Sequence, residues 1–202
     1  MGEVNLERVE RWISRNIPSE YSYIHPEKLP NIKAYEEVLA YQKDYDAWLE
    51  NKNRHGIVAF GRTGMGKTRS IYQLIINSLK VDFFGIKDIE FISAPGLASK
   101  VRTLATSNVK QLECDLEKFS WSEFFFIDDL HQAKFTPRYS EELFRIIENR
   151  YSQNLPTFIT CQVPGDALVS KLTADNPQLR EIAEAIVRRI RDMCEPIDFD
   201  AK

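Results

Sequence analysis

The chain has 202 residues, 43% hydrophobic and 28% charged, with a formal net charge of −3. That is the composition of an ordinary globular protein with one substantial core, and it excludes a generally basic nucleic-acid coat. The three cysteines, Cys114, Cys161 and Cys194, are scattered and contain no C-x-x-C pair, so neither a disulfide framework nor a zinc site is expected. The opening MGEVNLERVERW is charged throughout and lacks an apolar segment, which does not fit a signal peptide. The longest dense apolar run, Phe124 to Ile127, is far short of the ~20 residues of a membrane span. A reduced, cytoplasmic protein without membrane contact is expected.

In chain order, Leu6, Val9, Trp12 and Ile13 share one face of a short helix over residues 3–16 that Pro18 ends. The segment IPSEYSYIHPEKLP holds three prolines and alternating aromatics, and reads as an extended strap. Residues 1–31 are therefore expected as an N-terminal helix and strap, and 32–202 as the main domain. Tyr35, Val38, Leu39, Tyr45, Trp48 and Leu49 predict a long amphipathic helix over residues 32–51. The β-branched run Ile57-Val58-Ala59-Phe60 follows as a buried strand. Next comes Gly61-Arg62-Thr63-Gly64-Met65-Gly66-Lys67-Thr68, which satisfies G-x-x-x-x-G-K-[ST]. A helix follows with Ile71, Leu74, Ile75 and Leu79 on one face. Strand, glycine loop and helix are the context of a phosphate-binding loop. In it, backbone N–H groups converge on phosphate, Lys67 reaches the β- and γ-phosphates, and the Thr68 hydroxyl binds Mg²⁺.

Residues 88–92 alternate charged and apolar side chains as a second strand, which Pro95-Gly96 is expected to break. Leu97, Val101, Leu104 and Ala105 are helically spaced, and a polar stretch runs from Thr106 to Glu117. Phe124 to Ile127 reads as a strand buried on both faces, ending in Asp128-Asp129. A buried carboxylate there has a reason to exist if it meets a metal. Asp128 is assigned to the Mg²⁺ shell and Asp129 to orienting the attacking water. Pro137 opens a helix reaching Ser152, Thr157 to Thr160 is a fourth strand, and Leu179, Ile182, Ile186 and Ile190 mark a helix to Met193. Pro196 to Phe199 is expected as a closing edge strand. Alternating strands and helices imply an α/β fold, a three-layer parallel-sheet P-loop NTPase. The three histidines show no ligand spacing. No N-K-x-D guanine-reading run follows the loop, which disfavours a GTPase, and no substrate lid suggests a small-molecule kinase.

The order GRTGMGKT, EFISAPGL, FFFIDDLHQ, NLPTFITCQ and AIVRRIRDM resembles the AAA+ ATPases of the DnaC/DnaI helicase-loader and IstB transposition-helper group over nearly the whole chain. The resemblance implies an AAA+ core without a C-terminal lid, ATP and Mg²⁺ as cofactors, and hydrolysis in an oligomer formed on activation. It implies a replicative helicase or a transposase as client. Single-stranded DNA is a further partner, for which Lys100, Arg102 and Lys110 are local basic positions. It gives Gln162, or else Thr160, the sensor position at the end of the fourth strand. It also gives Arg189, or its neighbour Arg188, the role of an arginine finger reaching a neighbouring subunit's nucleotide. His131 stands where the group commonly has glycine. A non-hydrolysing ATP-dependent assembly switch is the alternative outside enzyme chemistry.

Overall fold

The computed structural model describes residues 6–23, 25–43, 45, 54–81 and 89–201. The chain begins with helix α1 (Leu6–Asn16), a one-turn α2 (Ser19–Ser22), a 3₁₀ turn at Pro26–Lys28 and α3 (Ile32–Lys43). Strand β1 (Gly56–Phe60) leads through the glycine loop into α4 (Lys67–Lys80). Strand β2 (Ile89–Ser93), α5 (Ala94–Ser107), α6 (Val109–Trp121) and β3 (Phe124–Asp128) follow. The chain continues with α7 (Pro137–Ser152), β4 (Thr157–Cys161), α8 (Gly165–Leu172), α9 (Arg180–Met193) and β5 (Cys194–Asp198). All strand pairs are parallel, and the sheet order is β2-β3-β4-β1-β5. The expected α/β class and closing edge strand are both observed.

Strand alternation divides the core in two. Phe125, Ile127, Val58, Ile159 and Cys194 face α5 to α9. Phe124, Phe126, Ile57, Ala59, Phe158 and Ile197 face α1, α3 and α4. Phe124 stacks on Phe158 across the second face, with ring centroids 4.2 Å apart. Burying each such side chain contributes about 1.5–3 kcal/mol. The N-terminal helix belongs to this layer. Val9 is buried, and Trp12 meets Phe91 edge to face.

Three sequence expectations change, and one helix is additional to them. Pro95 does not terminate order after β2; it sits in the first turn of α5, where its missing N–H costs nothing. Ser93 caps that helix by accepting from the Gly96 N–H. The polar stretch after Thr106 is mostly helix α6, capped by Asn108 and held by buried Leu112, Leu116 and Phe119. Residues 165–172 form a helix that periodicity does not reveal. The strap contains α2 and a 3₁₀ turn rather than being extended throughout. Expectations for residues 3–5, Trp48, Leu49, Asn53 and Asp88 lie outside the described residues.

Arg150 is fully buried at the end of the sheet remote from the glycine loop. It donates to the carbonyls of Phe119, Ser122 and Pro156 and to the Thr157 hydroxyl. Its guanidinium also lies 5.3 Å from the Phe125 ring centroid. Burial lowers its pKa to about 9. This side chain ties the helix α6 end to the start of β4.

Candidate nucleotide site

The glycine loop leaves β1 at the C-terminal edge of the parallel sheet, where open α/β sheets bind ligands. Gly64 and Gly66 have φ of 83° and 97°, a region that side chains rarely adopt. A Cβ at Gly64 would meet nothing within 4 Å, so it is the positive φ and not crowding that favours glycine there. At Gly66 a Cβ would approach Leu29 of the strap to 3.1 Å. Lys67 is buried, and its Nζ donates to the carbonyls of Gly61 at 2.7 Å and Arg62 at 2.8 Å. Burial lowers its pKa, against an upward pull led by Asp129. The loop's own carbonyls therefore hold the ammonium.

Strand parity explains the carboxylate side of the site. Phe124, Phe126 and Asp128 alternate onto the face of α4, as do Phe158 and Thr160 on neighbouring β4. Asp128 Oδ1 accepts from the Thr68 hydroxyl at 2.9 Å and from the Thr160 hydroxyl. The Asp129 N–H in turn donates to Thr160 Oγ1 at 2.8 Å. Thr160 thus clasps the two-aspartate turn, and its hydroxyl is already committed in both directions. Burial raises the Asp128 pKa, with the two threonine hydroxyls opposing it and Asp129 adding to it. Asp129 has φ of 53° and ψ of 49°, a left-handed turn that breaks the strand alternation. Its Oδ2 accepts from Gln132 at 2.9 Å. Burial raises the Asp129 pKa also, with Lys67 pulling it down.

The donor set fits a hard divalent cation. Thr68 and Asp128 offer two adjacent oxygens, and Mg²⁺ characteristically binds through one or two protein oxygens while keeping water and phosphate as its other ligands.

Other predicted residues surround this centre. Gln162 is half-buried at the loop's rim, its Nε2 donating to Thr63 Oγ1 at 3.2 Å and its Oε1 accepting from Lys171. The Gly61 N–H donates to the Gln162 carbonyl at 3.2 Å. Arg62 is exposed, and Asp200 accepts from both its backbone N–H and its guanidinium, at 3.0 and 3.1 Å. Met65 packs on the second core. Arg189 lies elsewhere: its guanidinium binds Glu148 of α7 at 2.6 Å and covers the Tyr151 ring at 4.9 Å. Arg188 is exposed and faces the cleft between α8 and α9. Lys100 is paired with Asp115 at 2.5 Å, so of the three basic positions only Arg102 and Lys110 stand exposed without a charged partner among the described residues.

Residues that sequence reasoning missed complete the surroundings. Asp200 touches the loop from the C-terminal segment. Asn31 donates to the carbonyls of Phe199 and Ala201, tying strap to tail. Tyr21 stacks on Tyr72 at 4.9 Å and lies under Arg69. His131 is buried with both ring nitrogens unpartnered. Its burial and the charges of Lys171 and Lys67 lower its pKa to about 4, against a pull from Asp128.

The parallel sheet, with β4 inserted between the loop strand and the carboxylate strand, defines an AAA+-type P-loop NTPase fold. Comparison with solved structures agrees. DnaI matches with a TM-score of 0.73 at 20% identity, over 91% of this chain and 94% of that one. The DnaC helicase loader matches at 0.60 and 20%, over 94% and 98%. The replication initiator DnaA, solved with AMPPCP and single-stranded DNA, matches at 0.64 and 16%, over 93% of this chain and 52% of DnaA. These likenesses are of fold. No protein-family model matches the sequence, and no curated protein is similar to it in sequence. Among the described residues no helix is long and apolar enough to cross a membrane.

Proposed function

We propose that this chain is a cytoplasmic ATPase that binds Mg·ATP on residues 61–68 and hydrolyses it when assembled with further copies of itself or with a client. The observation that carries the reading is the Thr68–Asp128 hydrogen bond, which joins the end of the phosphate loop to a partly buried carboxylate through oxygens suited to Mg²⁺. Lys67 would bind the β- and γ-phosphates, and Thr68 and Asp128 the cation. The cation would offset charge on the phosphates and on the transferred group. Asp129 would orient the attacking water, Gln162 would sense the terminal phosphate at the loop's rim, and Arg189 would act in the adjoining subunit. The work coupled to this cycle is loading or remodelling a replicative helicase on DNA, in line with the fold shared with DnaI and the DnaC helicase loader. Arg102 and Lys110 are the basic positions through which single-stranded DNA would be met.

The test is nucleotide binding followed by turnover at high protein concentration, with and without single-stranded DNA and the host's replicative helicase. Stimulated hydrolysis that Lys67→Ala removes supports the reading. Retained binding of labelled ATP by Lys67→Ala refutes the phosphate-loop assignment. Stimulation by a transposase instead would make the chain a transposition helper.

A second reading draws on one contact. Arg189 is held by Glu148 within its own chain, so ATP binding without hydrolysis, driving assembly as a switch, is the alternative. Turnover at background under every condition, with nucleotide-dependent assembly intact, would select it.

A further inference from the structure

His131 combines two properties that packing alone does not explain. It is only 8% exposed, yet among the described residues neither ring nitrogen has a hydrogen-bond partner. An unsatisfied buried polar atom costs on the order of 1–3 kcal/mol, so a side chain kept in this state calls for a partner supplied from elsewhere. The turn that carries it follows Asp129 directly and is closed by the Gln132 N–H on the Asp129 carbonyl at 2.8 Å. That turn packs against β4, α5 and α8.

Lys171, in the last turn of α8, reaches the same region. Its ammonium binds Gln162 Oε1, and Gln162 passes on to Thr63 of the phosphate loop. The imidazole feels the positive charges of both Lys171 and Lys67. An imidazole whose turn packs against the helix carrying Lys171 can satisfy an anion there only by donating a ring N–H. The anion's position follows from Lys67, which in such loops spans the β- and γ-phosphates.

We propose that His131 and Lys171 together read the terminal phosphate of the bound nucleotide, His131 donating a ring N–H to a γ-phosphate oxygen and Lys171 exchanging Gln162 for the same group. The inference rests on the nucleotide reading of the loop and deepens it. It supplies from within the chain a cation and a donor for the phosphate that distinguishes ATP from ADP. It also links that phosphate to α8, which lines the cleft with Arg188 on α9.

The test is equilibrium binding of ADP and of AMPPCP, each with Mg²⁺, to the full chain. His131→Ala and Lys171→Ala should each weaken AMPPCP binding roughly tenfold, as expected for one hydrogen bond or contact to a charged group, while ADP affinity stays within about twofold. Lys171 is exposed, so its variant tests the inference even if His131→Ala fails to fold. In the wild type labelled with ¹⁵N-histidine, the His131 ring signals should shift with AMPPCP and not with ADP. An unchanged ADP-to-AMPPCP ratio in the Lys171 variant, an equal loss for both nucleotides, or His131 signals indifferent to AMPPCP would overturn the proposal. Should Lys67→Ala bind both nucleotides as tightly as the wild type, the loop assignment itself fails. Should Lys67→Ala abolish binding while the two variants behave as wild type, only this inference fails.

Discussion

Replacing Asp128 by Asn separates what the fold wants from what the site does. The carboxylate is largely buried, accepts from Thr68 and Thr160 through Oδ1, and stands beside Asp129. Burial raises its pKa despite those two bonds, so the charged form is a net cost to the folded state. Asn keeps an oxygen for both threonines and removes the charge. The nucleotide-free protein should then gain about 1 kcal/mol at pH 7, the usual yield of relieving a functional site, or about 2–4 °C in Tm for a chain of this length. The sign of the pH dependence follows from the raised folded pKa. The folded state keeps the proton longer than the unfolded one, so the contribution of Asp128 is fully present below the unfolded pKa and is lost as pH rises through the folded value. The advantage of Asn should therefore be absent in acid and develop as pH climbs out of the carboxylate range. Mg·ATP should reverse the order. A ligand at a hundred times its Kd stabilises by about 2.7 kcal/mol, and a tenfold weaker site forfeits about 1.4 kcal/mol of that. Thermal unfolding with and without Mg·ATP at several pH values reads both effects. A variant less stable than wild type without nucleotide would show the carboxylate to be chiefly a structural acceptor. Equal stabilisation of both proteins by Mg·ATP would remove Asp128 from the metal site.

Lys67→Ala should weaken ATP binding by on the order of 10²-fold or more, since it deletes a charged donor to two phosphates; a filter-binding or calorimetric titration checks it. Arg189→Ala should leave nucleotide binding intact and remove stimulated turnover, a loss of 10³ or more if the guanidinium meets the phosphoryl group of a neighbour. Glu148→Ala, by freeing Arg189, should lower the protein concentration at which turnover appears; no change in that concentration would make the Arg189–Glu148 pair a purely structural contact. Arg150→Met should destabilise the fold by about 3 kcal/mol, because two buried carbonyls and a partly buried one lose their donor, with ATP affinity unchanged in refolded protein; an unshifted urea midpoint would contradict the role given to Arg150.

The parts of this site that can be read without coordinates are those governed by local rules. G-x-x-x-x-G-K-[ST] between an apolar strand and a periodic helix is such a case, and so is an apolar run ending in two aspartates. Parity extends the reach further than motif matching. With the observed register of Phe126 opposite Phe158, alternation turns Asp128 and Thr160 to one face and accounts for the clasp between them, a pairing that the sequence without that register leaves open. Helix α6 carried a readable signal too, in Asn108 followed by Leu112, Leu116 and Phe119, diluted by the charges between them. Helix α8 does not: eight residues that open on Gly165 behind Pro164 look like punctuation, and nothing in them points to Lys171. Contacts between distant segments have no local trace. Nothing near Arg189 announces Glu148, 41 residues away, and nothing near Arg62 announces Asp200. The family resemblance gives Arg189 its role by matching a place in a late helix, which gives the side chain a neighbourhood and leaves its partner open. Whether its charge serves this chain or the next is decided by competition between Glu148 and a phosphate across an interface, an energetic balance between chains that assembly can shift.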